Sequence, residues 1–185
     1  MGIIVGIDEV GRGSWAGPVV AAAVILHTPI AGLNDSKLLS KKLRSALAGQ
    51  IKTTAYYGIG WVSAAAVDGY GLTEAVRKAM EQALGQIRVP YDEIIIDGNY
   101  NYLRTSLKSR TLVKADTLIP AVSAASILAK VARDQYMSDQ AKLFPGYGFE
   151  SHVGYGTALH LAALRKLGIC ELHRCSYKPV QALML

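Results

Sequence analysis

The chain has 185 residues, of which 51% are hydrophobic and 18% are charged. This composition predicts a globular protein with one sizeable core and excludes an intrinsically disordered chain. No run of residues reaches the roughly 20 apolar residues of a membrane span, and the start lacks the basic region and cleavage site of a signal peptide, so we expect no membrane segment. The formal net charge of +6 favours a polyanionic partner.

The first half of the chain predicts three strands and two helices. Residues 3–7 and 19–26 are apolar runs joined by a glycine-rich turn, as in two neighbouring buried strands. A basic helix is expected from Asp35 to about residue 50. Residues 55–62 predict a third strand, whose glycines indicate close packing or a sheet edge. A helix with apolar residues at helical spacing follows from Thr73 and stops before Pro90.

The second half alternates strands and helices. Residues 93–97 and 111–116 predict two short strands that each end in an aspartate, and residues 120–143 predict a long helix. A Gly/Pro-rich break at residues 145–148 precedes a last helix at about residues 157–167 and an irregular basic tail. The pattern predicts one α/β domain over residues 1–185, with a mixed sheet and helices on its faces.

Acidic side chains stand at the ends of three predicted strands. Asp8, Asp97 and Asp116 each follow an apolar run, and Glu9 follows Asp8 directly. If the strands are neighbours, the four carboxylates converge at one sheet edge, although Glu9 joins Asp8 on one ion only if it already lies in the turn. Four oxygen ligands suit Mg²⁺ or Mn²⁺, and two such ions stabilise phosphoryl displacement. Alternatively, each aspartate caps a turn.

The turn after the first strand carries Gly11, Arg12 and Gly13. Glycines allow the backbone to approach a ligand closely, and the guanidinium can bind a phosphate. The alternative is an ordinary polar boundary between strand and loop.

Two cysteines, Cys170 and Cys175, stand near the C-terminus. Their small number favours free thiols in a reducing cytoplasm over a disulfide, and with His173 alone between them they make a weak zinc site. We therefore expect a cytoplasmic protein.

Six motifs occur in order along the chain. They are Gly6-Ile7-Asp8-Glu9-Val10-Gly11-Arg12-Gly13, Asn34-Asp35-Ser36-Lys37, Ile96-Asp97-Gly98, Lys114-Ala115-Asp116, Ser123-Ala124-Ala125-Ser126-Ile127-Leu128-Ala129-Lys130-Val131 and Gly154-Tyr155-Gly156-Thr157. With these motifs the chain resembles, over almost its whole length, the family of bacterial ribonuclease HII, the type II ribonucleases H.

The resemblance implies a ribonuclease H-like fold, with a mixed five-stranded sheet flanked by helices and a small helical extension at about residues 145–185. It implies hydrolysis of the RNA strand of RNA/DNA hybrids and incision 5′ of single ribonucleotides in duplex DNA, with Mg²⁺ or Mn²⁺, two ions when substrate is bound. A monomer is expected, and residues 181–185 are a faint candidate for a sliding-clamp motif.

The resemblance also implies roles for individual residues. The metal-binding catalytic carboxylates are Asp8, Glu9, Asp97 and Asp116. The substrate-binding residues are Gly11, Arg12, Gly13, Lys37 and Tyr155, with the tyrosine stacking on the deoxyribose after the ribonucleotide. Without the family, Tyr155 could equally pack on the last helix, Lys37 could lie on a solvated helix face, and His152 is more typical of a local hydrogen-bonding residue than of a catalyst.

The chain departs from the family pattern at Val153, where lysine is usual, at Ser14-Trp15 and at Cys175. None of these departures touches the carboxylates. Two alternatives compete with this interpretation. The first is type III ribonuclease H, which has an extra N-terminal domain, and we expect no such domain because Asp8 is only the eighth residue of the sequence. The second is a non-catalytic hybrid-binding protein, which would not need four carboxylates.

Overall fold

The computed structural model describes residues 2–33, 36, 39–103 and 109–184, and in them five strands form one mixed sheet. In chain order the strands are β1 (Ile4–Val10), β2 (Val19–Leu26), β3 (Ala55–Val62), β4 (Glu93–Asp97) and β5 (Ser109–Leu112). The spatial order is β3-β2-β1-β4-β5, with β1–β2 and β2–β3 antiparallel and β1–β4 and β4–β5 parallel. This arrangement confirms the predicted α/β class and mixed sheet.

Eight helices accompany the sheet in this part of the chain. They are α1 (Lys41–Thr54), α2 (Ala64–Tyr70), α3 (Leu72–Leu84), α4 (Ala115–Leu118), α5 (Pro120–Leu143), α6 (Phe149–His152), α7 (Ala158–Leu167) and α8 (Lys178–Gln181). Ser40 and Thr157 cap α1 and α7 with side-chain oxygens that accept backbone N–H groups, which explains why these two helices begin where they do.

The sheet buries a different core on each face. One face packs on α3, with apolar residues such as Ile7, Met80 and Ile96. The other packs on α1 and α5 through small residues of β2 and α5. Gly58 and Gly60 of β3 fit both predicted explanations, because β3 is an edge strand and because an added Cβ would meet the carbonyl oxygens of Ala83 and Ala79.

Several predicted boundaries are wrong. Strand β1 continues to Val10, since it pairs with β2 through Val10↔Val20, so Asp8 lies inside the strand. Helix α1 begins at Lys41, after its Ser40 cap, and not at Asp35, a residue that lies outside the described part. Strand β5 ends at Leu112, which places Asp116 in the first turn of α4. Helices α2, α4, α6 and α8 were not predicted, and each is seven residues or fewer.

The C-terminal part of the chain contains the expected small helical extension. Its helices α6 and α7 pack with Ala16 and Met137 in a separate apolar cluster around Phe149, so the extension lies against the loop after β1 and the end of α5. Among the residues that the structure describes, no helix has the length and apolar character needed to cross a bilayer.

Candidate active site

A pocket of about 500 Å³ opens where β1 and β4 end. The residues that line it come from separate parts of the chain and include most of those singled out from the sequence: Asp8, Glu9, Val10, Gly11, Arg12, Gly13, Ser36, Asp97, Asp116, Ser126, Lys130 and Tyr155. Lys37, also predicted to bind substrate, lies outside the described residues. The pocket thus gathers all four predicted carboxylates.

Asp8 and Glu9 reach the pocket because β1 is longer than its parallel neighbour. Pairing of β1 with β4 ends at Ile7↔Ile96, whereas pairing with β2 continues to Val10. The end of β1 is therefore open on the β4 side. Glu9 is still in the strand, and it lines the same pocket as Asp8. That the two carboxylates bind one ion only if Glu9 lies in the turn stays a prediction.

The side chain of Asp97 accepts a hydrogen bond from Ala115, the residue before Asp116. The N–H of Ala115 donates to Oδ1 of Asp97 at 2.7 Å, which fixes the start of α4 against the end of β4. Lys114, just before, adopts the left-handed conformation with φ of 60°, an uncommon state for a residue with a side chain. This bend turns the chain into α4 and brings Asp116 to the pocket that Asp97 lines.

The pocket disfavours negative charge on Asp8 and Glu9. Burial, followed by the charges of Glu9 and Asp97, raises the pKa of Asp8 well above its usual range, despite hydrogen bonds from Ser126 and from the Glu9 N–H. Burial also raises the pKa of Glu9, although Arg12 acts in the opposite direction. Repelling, desolvated carboxylates are stabilised in their ionised form by a bound cation.

The residues present fit a divalent metal ion. Oε2 of Glu9 is buried and, within the described part of the chain, has no hydrogen-bond partner, which is the state of an oxygen available as a ligand. The other oxygen of Glu9 pairs with Arg12 at 3.1 Å. In the same part of the chain no three acidic, histidine or cysteine side chains are close enough together to form a finished metal site. The pocket therefore gathers hard oxygen donors without fixing a coordination shell.

The loop after β1 presents a cation and open backbone to the pocket. Gly11 has φ of 89°, which favours glycine. A Cβ at Gly13 would meet no atom within 4 Å, so a ligand can approach the backbone there. The Arg12 side chain is half exposed beside Glu9. A guanidinium next to open backbone can bind a phosphate.

Tyr155 also lines the pocket. It forms an isolated β-bridge with Ser14 of this loop, and its ring lies 5.9 Å from Lys130 Nζ and 5.5 Å from the Arg133 guanidinium carbon. The ring therefore borders the pocket beside α5, and its role in binding substrate stays a prediction. His152 bonds locally, to the Tyr147 carbonyl and the Gly154 N–H, as expected of a non-catalytic residue.

The pocket is also lined by Ser36, Ser126 and Lys130, which are not among the predicted site residues. The hydroxyls of Ser36 and Ser126 are 2.9 Å apart, and Lys130 pairs with Asp134 at 2.8 Å. Ser126 and Lys130 stand four positions apart on α5, a spacing that places them on one helix face. That spacing, beside the small residues that pack on the sheet, is the signal that could have identified them.

Two further residues singled out from the sequence lie away from the pocket. Cys170 and Cys175 are free thiols, as expected. Cys170 Sγ lies 3.2 Å from His173 Nδ1. At Cys175, where the chain departs from the family pattern, the backbone N–H donates to Asp68 at 2.7 Å.

Comparisons with known proteins identify the family of the chain. A family model described as Ribonuclease HII matches residues 5–180. Ribonuclease HII of Hyphomonas neptunium is 46% identical over 202 residues, which cover 98% of this chain and 96% of that protein. Ribonuclease HII of Burkholderia cenocepacia is 48% identical over 183 residues, which cover 97% of this chain and 85% of that protein.

Solved structures share the fold. Ribonuclease H2 from Pyrococcus horikoshii superimposes with a TM-score of 0.82 at 22% identity, over 97% of this chain and 96% of that one. The ribonuclease HII studied in complex with PCNA from Archaeoglobus fulgidus gives 0.82 at 26% identity, over 95% of each chain. Bst-RNase HIII in complex with Mn²⁺ gives 0.74 at 20% identity, over 98% of this chain and 69% of that one.

The family model and the curated relatives decide between the type II and type III enzymes in favour of type II. The chain therefore belongs to the ribonuclease HII family and is a metal-dependent endonuclease that acts on RNA paired with DNA.

Proposed function

We propose that this chain also incises duplex DNA on the 5′ side of a single embedded ribonucleotide, with two divalent ions bound by Asp8, Glu9, Asp97 and Asp116, and that it leaves a 3′-hydroxyl and a 5′-phosphate. The observation that carries this proposal is the convergence of the four carboxylates on one pocket, with a buried Glu9 oxygen that has no hydrogen-bond partner among the described residues.

The carboxylates define where hydrolysis takes place. Mg²⁺ or Mn²⁺ bound there would neutralise charge on the attacking and leaving oxygens of the phosphate. Asp97 is held by the Ala115 N–H and Asp8 by the Glu9 N–H, so each keeps a fixed orientation toward the pocket. No histidine lines the pocket in the described part of the chain. We expect water and not the ribose 2′-oxygen to attack phosphorus, because two metal ions held by these carboxylates would activate a water at that position.

Two elements of the pocket select the ribonucleotide. Gly11, Arg12 and Gly13 offer backbone groups and a guanidinium to the 2′-hydroxyl and the neighbouring phosphate, and the 2′-hydroxyl distinguishes RNA from DNA. Tyr155 lines the same pocket, where its ring can stack on the next sugar. A 2′-hydroxyl on that sugar would crowd the ring, which favours an RNA-to-DNA junction.

One copy of the chain supplies this whole set of residues, which supports a monomer as the active form. The candidate sliding-clamp residues 181–185 begin at Gln181, the last residue of the short helix α8. Met184 is exposed, and Leu185 lies outside the described residues. A contact between this segment and a clamp remains a prediction.

The test is cleavage of a labelled DNA duplex that contains one ribonucleotide, with Mg²⁺, with Mn²⁺ and with a chelator. We expect incision 5′ of the ribonucleotide with either metal, a 3′-hydroxyl end, and none with the chelator. Asp8→Asn should abolish incision, while Asp139→Asn, at an exposed carboxylate paired with Lys142, should leave it unchanged. A 2′,3′-cyclic phosphate product would refute the two-metal proposal, and binding without cleavage under every condition would favour the non-catalytic alternative.

A further inference from the structure

Two arginine side chains are completely buried beside the loop that carries Arg12. Arg133, on α5, and Arg174, after α7, each have 0% exposed surface. Within the described residues neither forms an ion pair, although buried charges are normally paired. Burial lowers the pKa of Arg133 to about 10, so it stays protonated at neutral pH. Two buried cations without carboxylate partners call for an explanation.

Arg174 bonds to the backbone of the loop over residues 11–18. Its Nε and Nη2 donate to the Gly17 carbonyl at 3.0 and 2.8 Å, and its Nη1 donates to the Arg12 carbonyl at 3.0 Å. The same Nη1 donates to the Tyr177 hydroxyl, which donates in turn to the Arg12 carbonyl. The backbone carbonyl of Arg12 thus accepts two hydrogen bonds, one from Arg174 and one from Tyr177, which fix the backbone at this residue.

Arg133 connects the same loop to the segment that carries Tyr155. Its Nε donates to Pro18 at 2.9 Å, Nη2 to Ala16 at 3.0 Å and Nη1 to the Val153 carbonyl at 2.9 Å. Val153 adopts φ of 45°, an unfavourable state for a β-branched residue. The Tyr155 ring lies over the same guanidinium. The fork of one side chain therefore joins the loop that carries Arg12 to the segment that carries Tyr155.

Gly11 leaves room for the Arg133 guanidinium, and Gly154 leaves room for the backbone of the loop over residues 11–18. A Cβ at Gly11 would lie 2.3 Å from Arg133 Nε, and a Cβ at Gly154 would lie 2.3 Å from the Ala16 carbonyl oxygen. The loop N–H groups complete the connection, since Trp15 donates to the Gly154 carbonyl at 2.8 Å. The loop has no regular secondary structure, so its shape depends on these contacts.

We propose that Arg133 and Arg174 are positioning residues that hold Arg12 and Tyr155 in place in the pocket, each acting mainly through one of the two. Arg174 acts through Arg12, whose carbonyl it binds, and Arg133 acts through Tyr155, whose segment and ring it contacts. The inference rests on the proposed function. Lysine cannot replace either side chain, because it keeps the charge but cannot bind two or three carbonyls in a fixed fork.

The experiment is a pair of double-mutant cycles on kcat/KM with the single-ribonucleotide duplex. Arg133→Lys is measured in the wild type and in Tyr155→Ala, and Arg174→Lys in the wild type and in Arg12→Ala. Each lysine variant should lose about 10-fold in the wild type, as a misplacement of well under 1 Å would cause, and at most about 2-fold in its alanine background. The control is Val76→Ala, which makes a cavity under α3 on the far side of the sheet and should cost equally little activity in every background.

Losses that persist undiminished in the alanine backgrounds would overturn the proposal and reduce both arginines to general structural roles. If the lysine variants fail to fold, Tyr177→Phe takes the place of Arg174→Lys, because it removes only the hydroxyl shared by Arg174 and the Arg12 carbonyl. A full-size loss from Tyr177→Phe in Arg12→Ala would equally contradict the proposal. An active Asp8→Asn enzyme would instead refute the proposed site, so the two failures are distinguishable.

Discussion

Gly6 sits at the centre of the sheet, and replacing it with alanine should damage both stability and catalysis. It pairs with Val24 on β2 and Ile95 on β4, and the start of α5 lies directly over it. A Cβ there would lie 2.2 Å from the carbonyl carbon of Ala121 and 2.3 Å from the N atom of Val122. These are backbone atoms of a helix, so no side chain can move aside to make room.

The size of the effect follows from that distance. An ordinary contact of about 3.4 Å requires α5 to move by roughly 1.2 Å away from β1. Overpacking of this kind typically lowers the free energy of unfolding by about 1–3 kcal/mol, and we expect about 3 kcal/mol here because the clash is with backbone. For a chain of this size that is a fall in Tm of roughly 6–12 °C. Because α5 carries Ser126 and Lys130 to the pocket and β1 carries Asp8, kcat/KM should fall by about 10- to 100-fold.

The assay combines thermal unfolding with kcat/KM on an RNA/DNA hybrid, measured well below the Tm of the variant. Gly49→Ala is the matched control, because Gly49 lies inside α1 and a Cβ there would meet nothing within 4 Å. In the control, the higher helix propensity of alanine should raise the free energy of unfolding by about 0.5–1 kcal/mol, and activity should be unchanged. Equal shifts in Tm for the two variants, or an unchanged kcat/KM in Gly6→Ala, would show that the close contact between α5 and β1 is not what the site depends on.

Three further predictions concern the site and the layer behind it. Asp97→Asn should abolish cleavage while the Tm holds or rises, since it removes one charge from a group of repelling carboxylates, and a near-normal turnover in Mg²⁺ would place the site elsewhere. Tyr155→Ala should lower kcat/KM more on a single-ribonucleotide duplex than on a continuous hybrid. The loss of stacking corresponds to about 1–3 kcal/mol, which is a roughly 5- to 150-fold decrease in kcat/KM. Equal losses on both substrates would show that the ring serves only in packing. Burial lowers the pKa of His160 to about 4, from about 6.5 in an unfolded chain, so its contribution to stability is complete above pH 6.5 and is lost as the pH falls toward 4. The Tm of the wild type should therefore fall more steeply between pH 6.5 and 4.5 than that of His160→Gln, and parallel curves would contradict this assignment.

Much of the candidate site could be predicted from the sequence because its residues follow strong local patterns. Asp8 and Asp97 stand at the ends of apolar runs, and the glycines around Arg12 indicate a turn. The positions of Glu9 and Asp116 were harder to predict. Glu9 is exposed to the pocket only because β4 ends earlier than β1, and Asp116 reaches it only because Lys114 bends the chain into α4.

The sequence by itself determined the strands β2 and β3, the long helix α5 and the identity of the acidic residues, because hydrophobic periodicity and strand-end charges are local properties of the chain. Only the tertiary structure decided which strands are neighbours, how far β1 extends past β4, and where the side chains of α5 lie. The tertiary structure alone showed that Arg133 and Arg174 are buried against the loop over residues 11–18. Their hydrogen-bond partners in that loop are carbonyl groups more than 100 positions away, and every residue has a carbonyl. A sequence does not distinguish one backbone oxygen from another, whereas packing does.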